Sequence, residues 1–115
     1  VINLIDEPEL RVIELSLPQA MDNLELDQLN EALLNAVKQS AARKWVLDLS
    51  RVEYMGSAML GVLVNLRQRV NESHGRLVLC GMSAELTEIF RTCCLDRLFT
   101  VARHLDQARL QLKKM

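Results

Sequence analysis

Apolar positions along this chain switch between a period of two and a period near four, and each switch marks an element. Val1 to Ile5 and Glu9 to Leu15 read as two strands joined by a turn at Asp6, Glu7 and Pro8. In the second strand Leu10 and Val12 share one side and Arg11 lies opposite, while Ile13 and Leu15 beside Glu14 blur the alternation. Ser16 to Met21 is a loop punctuated by Pro18. Asp22 or Asn23 then supplies a helix cap, and Leu26, Leu29, Leu33, Ala36 and Val37 recur at helical spacing to about Ser40.

Trp45 to Leu49 is an apolar run broken only by Asp48, as in a strand covered on both faces. A turn-rich connection, Ser50 to Gly56, leads to a helix from Ser57 to about Asn71, apolar almost all round at first and wetter near Arg67 and Arg69. Gly75 follows as the residue expected to supply a turn's backbone freedom. Arg76 to Cys80 is the next strand. Ser83 caps a helix from Ala84 to about Cys93, with Leu86, Ile89, Phe90 and Cys93 expected on its inner face. Thr100 to Ala102 gives a short last strand and His104 to Leu112 a terminal helix. The order β-β-α-β-α-β-α-β-α predicts an α/β fold, with a mixed, mostly parallel central sheet of about five strands and about four helices.

Composition narrows the class. The 115 residues suit one domain, read here as spanning 1–115, and a chain of this size buries enough surface to fold without disulfides or metals. Acidic and basic residues nearly balance at a formal net charge of -1 and are intermixed, so no nucleic-acid partner is expected. No apolar run approaches the roughly 20 residues of a membrane helix, so no membrane insertion is expected either. The chain begins at Val1 without an initiator Met, as a trimmed segment would. Cys80, Cys93 and Cys94 are expected to be buried thiols of a cytoplasmic protein, since adjacent cysteines do not easily pair with each other.

Enzyme signatures are missing from the pattern. The glycines at 56, 61, 75 and 81 have neither phosphate-loop nor dinucleotide spacing, and no Cys/His pair has metal-ligand spacing. No cofactor, metal or catalytic residue is therefore expected. His74 and His104 lie far apart and read as surface residues. Asp48 reads as a strand carboxylate satisfied by backbone donors. Cys93–Cys94 offers a redox alternative, set against a plain core role for Cys93.

The informative stretch is VLDLSRVEYMGSAMLGVLV, Val46 to Val64. A strand ends, the chain turns, and Ser57 falls at or next to a helix N-terminus, where unpaired N–H groups and a partial positive charge accommodate a phosphate. A plain N-cap role for Ser57 is the alternative. Together with VIEL, LNEALLNAV, RLVLCG and ELTEIFRTCCLDRLF, in this order, the stretch resembles the STAS family, which includes the bacterial anti-sigma factor antagonists. The resemblance covers nearly the whole chain and implies the same sheet covered by helices.

It also implies a protein-binding regulator and not an enzyme. The expected partner is a kinase-type anti-sigma factor, or a related serine kinase, that phosphorylates the antagonist and so releases it. The family's regulatory motif reads Tyr54, Met55, Gly56, Ser57, Ala58, Met59, Leu60, Gly61 here, with Ser57 on the phosphoacceptor position. Two positions depart from it: Gly56 replaces an Asp and Met59 replaces a Gly. The expected partner surface comprises Met21, Asp22, Asn23, Tyr54, Met55, Gly56, Ser57, Ala58 and Met59, with Met21, Met55 and Met59 clustering as an exposed apolar patch; a core-filling role for some of these methionines is the alternative. A module that binds constitutively within a larger regulatory or transporter-associated complex is the second reading. A small-molecule or redox sensor is the third. The regulatory reading requires the Ser57 side chain to face solvent.

Overall fold

The computed structural model describes residues 2–18 and 20–114. The strands are β1 (Ile2–Asp6), β2 (Arg11–Ser16), β3 (Lys44–Arg51), β4 (Arg76–Cys80) and β5 (Thr100–Ala102). The helices are α1 (Asn23–Lys38), α2 (Ser57–Glu72), α3 (Ala84–Thr92) and α4 (Leu105–Lys113). The expected α/β order is thus observed, and Val1, expected to open the first strand, lies outside the described residues.

The five strands form one sheet in the order β1-β2-β3-β4-β5. The β1–β2 pair is antiparallel and the other three are parallel. Alternation along the strands divides the core into two layers. Ile13, Leu15, Trp45, Leu47, Leu49, Leu77 and Leu79 point to one face and pack with residues of α1, α2 and α3. Val12, Val46, Val78, Cys80 and Ala102 point to the other, where Ala108 and Leu112 of α4 cover them. β3 lies between these layers, which is why its sequence is apolar on both sides.

The helix starts follow local chemistry. Asp22 accepts a 2.7 Å hydrogen bond from the Glu25 N–H, and the Glu25 carboxylate accepts one back from the Asp22 N–H at 3.3 Å, a reciprocal capping box. Ser83 Oγ accepts from the Leu86 N–H at 3.1 Å. His104 caps α4, its Nδ1 accepting from the Gln107 N–H at 3.4 Å. Asp48 Oδ1 accepts from the Ser50 N–H at 3.0 Å and so orders the carboxyl end of β3, which satisfies the carboxylate that interrupted the apolar run.

Two expectations about special residues are corrected. The turn after α2 places His74, not Gly75, at a positive φ of 60°. Gly75 is required for space instead: a Cβ there would stand 2.6 Å from the Arg43 carbonyl oxygen and 2.9 Å from Val70 Cγ1. Of the three thiols expected inside, only Cys80 is buried, while Cys93 and Cys94 are exposed. The reason is that α3 ends at Thr92, so Cys93 is its C-cap and Cys94 takes a φ of 59° in the following turn. The inner face of α3 is completed by Leu86 and Phe90, and Phe90 meets Phe99 edge-on with ring centroids 5.8 Å apart.

Candidate functional site

The carboxyl end of β3 turns at Val52 and delivers the chain to the start of α2. Val52 and Met55 are buried and act as anchors, while Glu53 and Tyr54 between them project outward. Tyr54 is 68% exposed, unusually open for an aromatic residue. Gly56 is the N-cap of α2, with extended backbone at φ -79° and no side chain to occupy the helix end. Ser57 is therefore the first helical residue and not the cap. The first intrahelical bond runs from the Leu60 N–H to the Gly56 carbonyl at 3.1 Å, which leaves the N–H groups of residues 57–59 outside the helical ladder.

Ser57 and Ala58 are both exposed. Beside them lies a groove of about 490 Å³ between the start of α2 and the outer side of α3. Met55, Leu60 and Ile89 form its apolar floor, Tyr54, Ser57, Thr92 and Cys93 its walls, and Glu85 and Glu88 its acidic rim. Arg91 partly offsets that charge by donating to Glu88 at 2.9 Å.

The expected partner-binding residues therefore separate into three groups. Tyr54, Gly56, Ser57 and Ala58 come together on one exposed or half-exposed rim. Met55 and Met59 do not join them on the surface: at 2% and 5% exposure they belong to the main core cluster. The expected exposed methionine patch is thereby corrected. A helix packed on a sheet turns every third or fourth residue inward, and Met59 shares that inward stripe with Leu63, Leu66 and Val70. Met21 is half-buried and lines a different groove, with Leu17, Pro18 and Leu29, while Asp22 and Asn23 are exposed at the start of α1. Sequence reasoning missed Ile89, Thr92 and Cys93 as lining of the Ser57 groove; only the tertiary placement of α3 beside α2 brings them there.

Among the described residues, no group of three or more His, Cys, Asp and Glu side chains is placed to hold a metal ion. No helix among them is long and apolar enough to cross a membrane.

The STAS domain family pattern matches residues 6–108, most of the chain and all of the site just described. The chain belongs to the STAS domain family. It is 32% identical over 83 residues to BtrV of Bordetella bronchiseptica, a protein provisionally assigned as an anti-sigma factor antagonist, covering 72% of each chain. The structure of an anti-sigma factor antagonist (STAS) domain protein from Planctomyces limnophilus superposes with a TM-score of 0.82 at 26% identity, over 97% of both chains. The anti-sigma factor antagonist SpoIIAA in its unphosphorylated form superposes with a TM-score of 0.77 over 100% of this chain and 98% of its own; at 19% identity this likeness shows the fold alone. The expected STAS fold, five strands in a mixed sheet with four helices, is the one observed. Among STAS relatives, this chain resembles the anti-sigma factor antagonists.

Proposed function

We propose that this STAS chain antagonises a kinase-type anti-sigma factor, docking it on the Tyr54–Ala58 rim and the adjoining groove, and that phosphorylation of Ser57 ends the interaction. One observation carries the reading: an exposed serine hydroxyl opens a helix at the wall of an apolar groove beside a largely exposed tyrosine. Buried aromatic anchors with a polar rim are what protein partners exploit, and Tyr54 is such an anchor left open. The chain itself performs no chemistry in this scheme. The partner transfers the terminal phosphoryl group of ATP to Ser57 Oγ: the new O–P bond forms, the bond to ADP breaks, and the hydroxyl proton leaves. The added group carries nearly two negative charges. The free N–H groups of the α2 start stabilise it within this chain, while the acidic rim of Glu85 and Glu88 and the bound partner must bear the added charge. SpoIIAA, a protein of the same fold, has been solved in a phosphorylated form.

A second reading is a STAS module that binds its partner constitutively in a larger assembly. The bare Gly56 cap favours it, because the acidic residue that precedes the serine in the family's motif is absent.

The test incubates the protein with the kinase-type anti-sigma factors of its host and magnesium ATP, then measures binding and intact mass. The proposal expects one kinase to bind, one phosphoryl group to be added, and none on Ser57→Ala. Ser57→Asp should lose the partner while Ser57→Ala keeps it. Equal binding by both variants removes the switch and leaves the constitutive module. No binding to any of these kinases removes the antagonist reading.

A further inference from the structure

Among the described residues, β1 and β5 are the two outer strands of the sheet, each with one unpaired edge. The two edges are not alike. β5 is three residues long, and brevity is one of the ways an edge strand avoids pairing with another chain. β1 has five residues, all in register with β2 and without a bulge. Its sequence, INLID, contains no Lys or Pro to blunt the outer edge. Asp6, the one ionisable residue of the strand, is paired with Arg11 of β2. Asn3, Leu4, Ile5 and Asp6 are all exposed.

Two apolar side chains stand on this edge, one on each face. Leu4 lies beside Ile13, its cross-strand neighbour, and Ile5 lies beside Val12 on the opposite face. Ile13 and Val12 are fully buried, whereas Leu4 and Ile5 are 36% and 37% exposed. Both apolar layers therefore run out to the β1 edge and stop there uncovered.

An extended strand fits such an edge, because it satisfies the row of outward N–H and C=O groups. β1 itself is a matching strand. A two-fold axis normal to the sheet at Leu4 pairs all of β1 antiparallel with a second β1. Leu4 then meets the second copy's Leu4, Asn3 meets Ile5, and Ile2 meets Asp6. Other two-fold registers leave residues at the ends of the ladder unpaired. In this register the two Asp6 carboxylates lie at opposite ends, each facing an Ile2, so no like charges meet. The interface is isologous and closes after two copies.

We propose that β1 is a self-association surface, on which a second copy of this chain adds its own β1 and joins the two sheets into one. A single five-residue edge covers less than the roughly 800 Å² per partner of a standard stable interface. The dimer is accordingly weak and forms at high local concentration. No β1 residue lines the Ser57 groove, so each copy keeps that rim open, and the proposal is independent of what the rim docks.

The experiment measures sedimentation and amide NMR shifts of the full chain from about 10 μM to about 1 mM, the range in which so small an interface is populated. The expected result is a monomer–dimer equilibrium whose shifts with concentration centre on residues 2–6. Leu4→Lys sets like charges face to face on the axis and should weaken association about tenfold or more, with the thermal melt unmoved. The register is tested by Leu4→Cys. Directly opposed Cα atoms of an antiparallel pair lie about 4.5–5.5 Å apart, within disulfide range. Mild oxidation should therefore link position 4 to position 4 of the second copy, as located by peptide mapping, while Ile5→Cys, which faces Asn3, should not link to itself. A protein that stays monomeric throughout the range overturns the proposal. So does association that Leu4→Lys leaves undiminished, which would point to the β5 edge or another surface. Linkage through position 5 and not position 4 overturns the two-fold register on which the choice of a second copy rests.

Discussion

Glu7 and Arg109, 102 positions apart, meet in a two-pronged ion pair: Arg109 Nε donates to Glu7 Oε1 at 2.8 Å and Nη2 to Oε2 at 2.6 Å. The pair ties the β1–β2 turn to α4, while Nη1 of the same guanidinium holds Asp106 at 2.6 Å. It thus fastens the helix that covers the second face of the sheet to the strand pair at its edge. The fork geometry matches a carboxylate in a way a lysine does not.

The first prediction concerns acid. Hydrogen bonding from Arg109, aided by its charge, lowers the Glu7 carboxyl below its ordinary value and outweighs the opposing effect of burial. A depressed carboxylate contributes stability that is fully present above its unfolded value, near 4.5, and is lost as pH falls through the lowered folded value. Both side chains are partly exposed, so solvent screening limits the neutral-pH contribution to about 1 kcal/mol. Urea unfolding of wild type and Glu7→Gln should therefore differ at pH 7 and converge in strong acid. An undiminished difference at the acid end would show that the pair is not its source.

A second prediction sets two glycines against each other. Gly75→Ala forces a Cβ against the Arg43 carbonyl and Val70, backbone and core side chain that yield little. The cost should be about 1–3 kcal/mol. Gly61 lies exposed within α2 with open space where a Cβ would go. Gly61→Ala should stabilise by up to about 1 kcal/mol through helix propensity alone. Thermal melts of the two variants should move in opposite directions.

These two glycines mark what the sequence could and could not convey. Periodicity is a local property, and every described element lies within a residue or two of where the alternation of apolar positions puts it. Caps are local too, and Asp22 and Ser83 act as their positions suggest. Which way a side chain points at the end of an element depends on its neighbours in space. Met55 has no helical or strand period to classify it and turns inward beneath Tyr54. Cys93 keeps the spacing of an inner-face residue, yet the helix stops before it and its side chain meets the groove. The clash that reserves position 75 for glycine comes from Arg43, 32 positions earlier, and no local pattern encodes it.

A third prediction follows from the bare cap of α2. Gly56 has the extended backbone of an N-cap, and a Cβ added there would meet nothing within 4 Å. Gly56→Asp restores the acidic residue of the family's motif at that helix end. Its carboxylate accepts from free N–H groups of the first turn and complements the helix dipole. The expected gain is about 0.5 kcal/mol in chemical denaturation, diminishing as the carboxylate is protonated. A loss of stability would mean that the α2 start is already satisfied by other groups.

The last prediction separates docking from folding at Ser57 and Tyr54. Both side chains are exposed, and neither belongs to the core clusters. A carboxylate in the first turn of a helix is favourable or neutral, so Ser57→Asp should leave stability within about 0.5 kcal/mol of wild type. Tyr54→Ala, which uncovers part of the groove floor without opening a cavity, should fall in the same range. If the rim docks an anti-sigma kinase, each change should weaken binding about tenfold or more with the melting curve unmoved, as loss of an exposed anchor or addition of a buried unpaired charge does. Met59→Ala should do the reverse. That side chain is 5% exposed in the core, and its truncation should cost about 2–5 kcal/mol while the remaining folded protein binds normally. Calorimetric titration beside thermal melts of the three variants distinguishes a docking rim from a surface that merely covers the fold. Binding that follows stability across all three would place the interface elsewhere on the molecule.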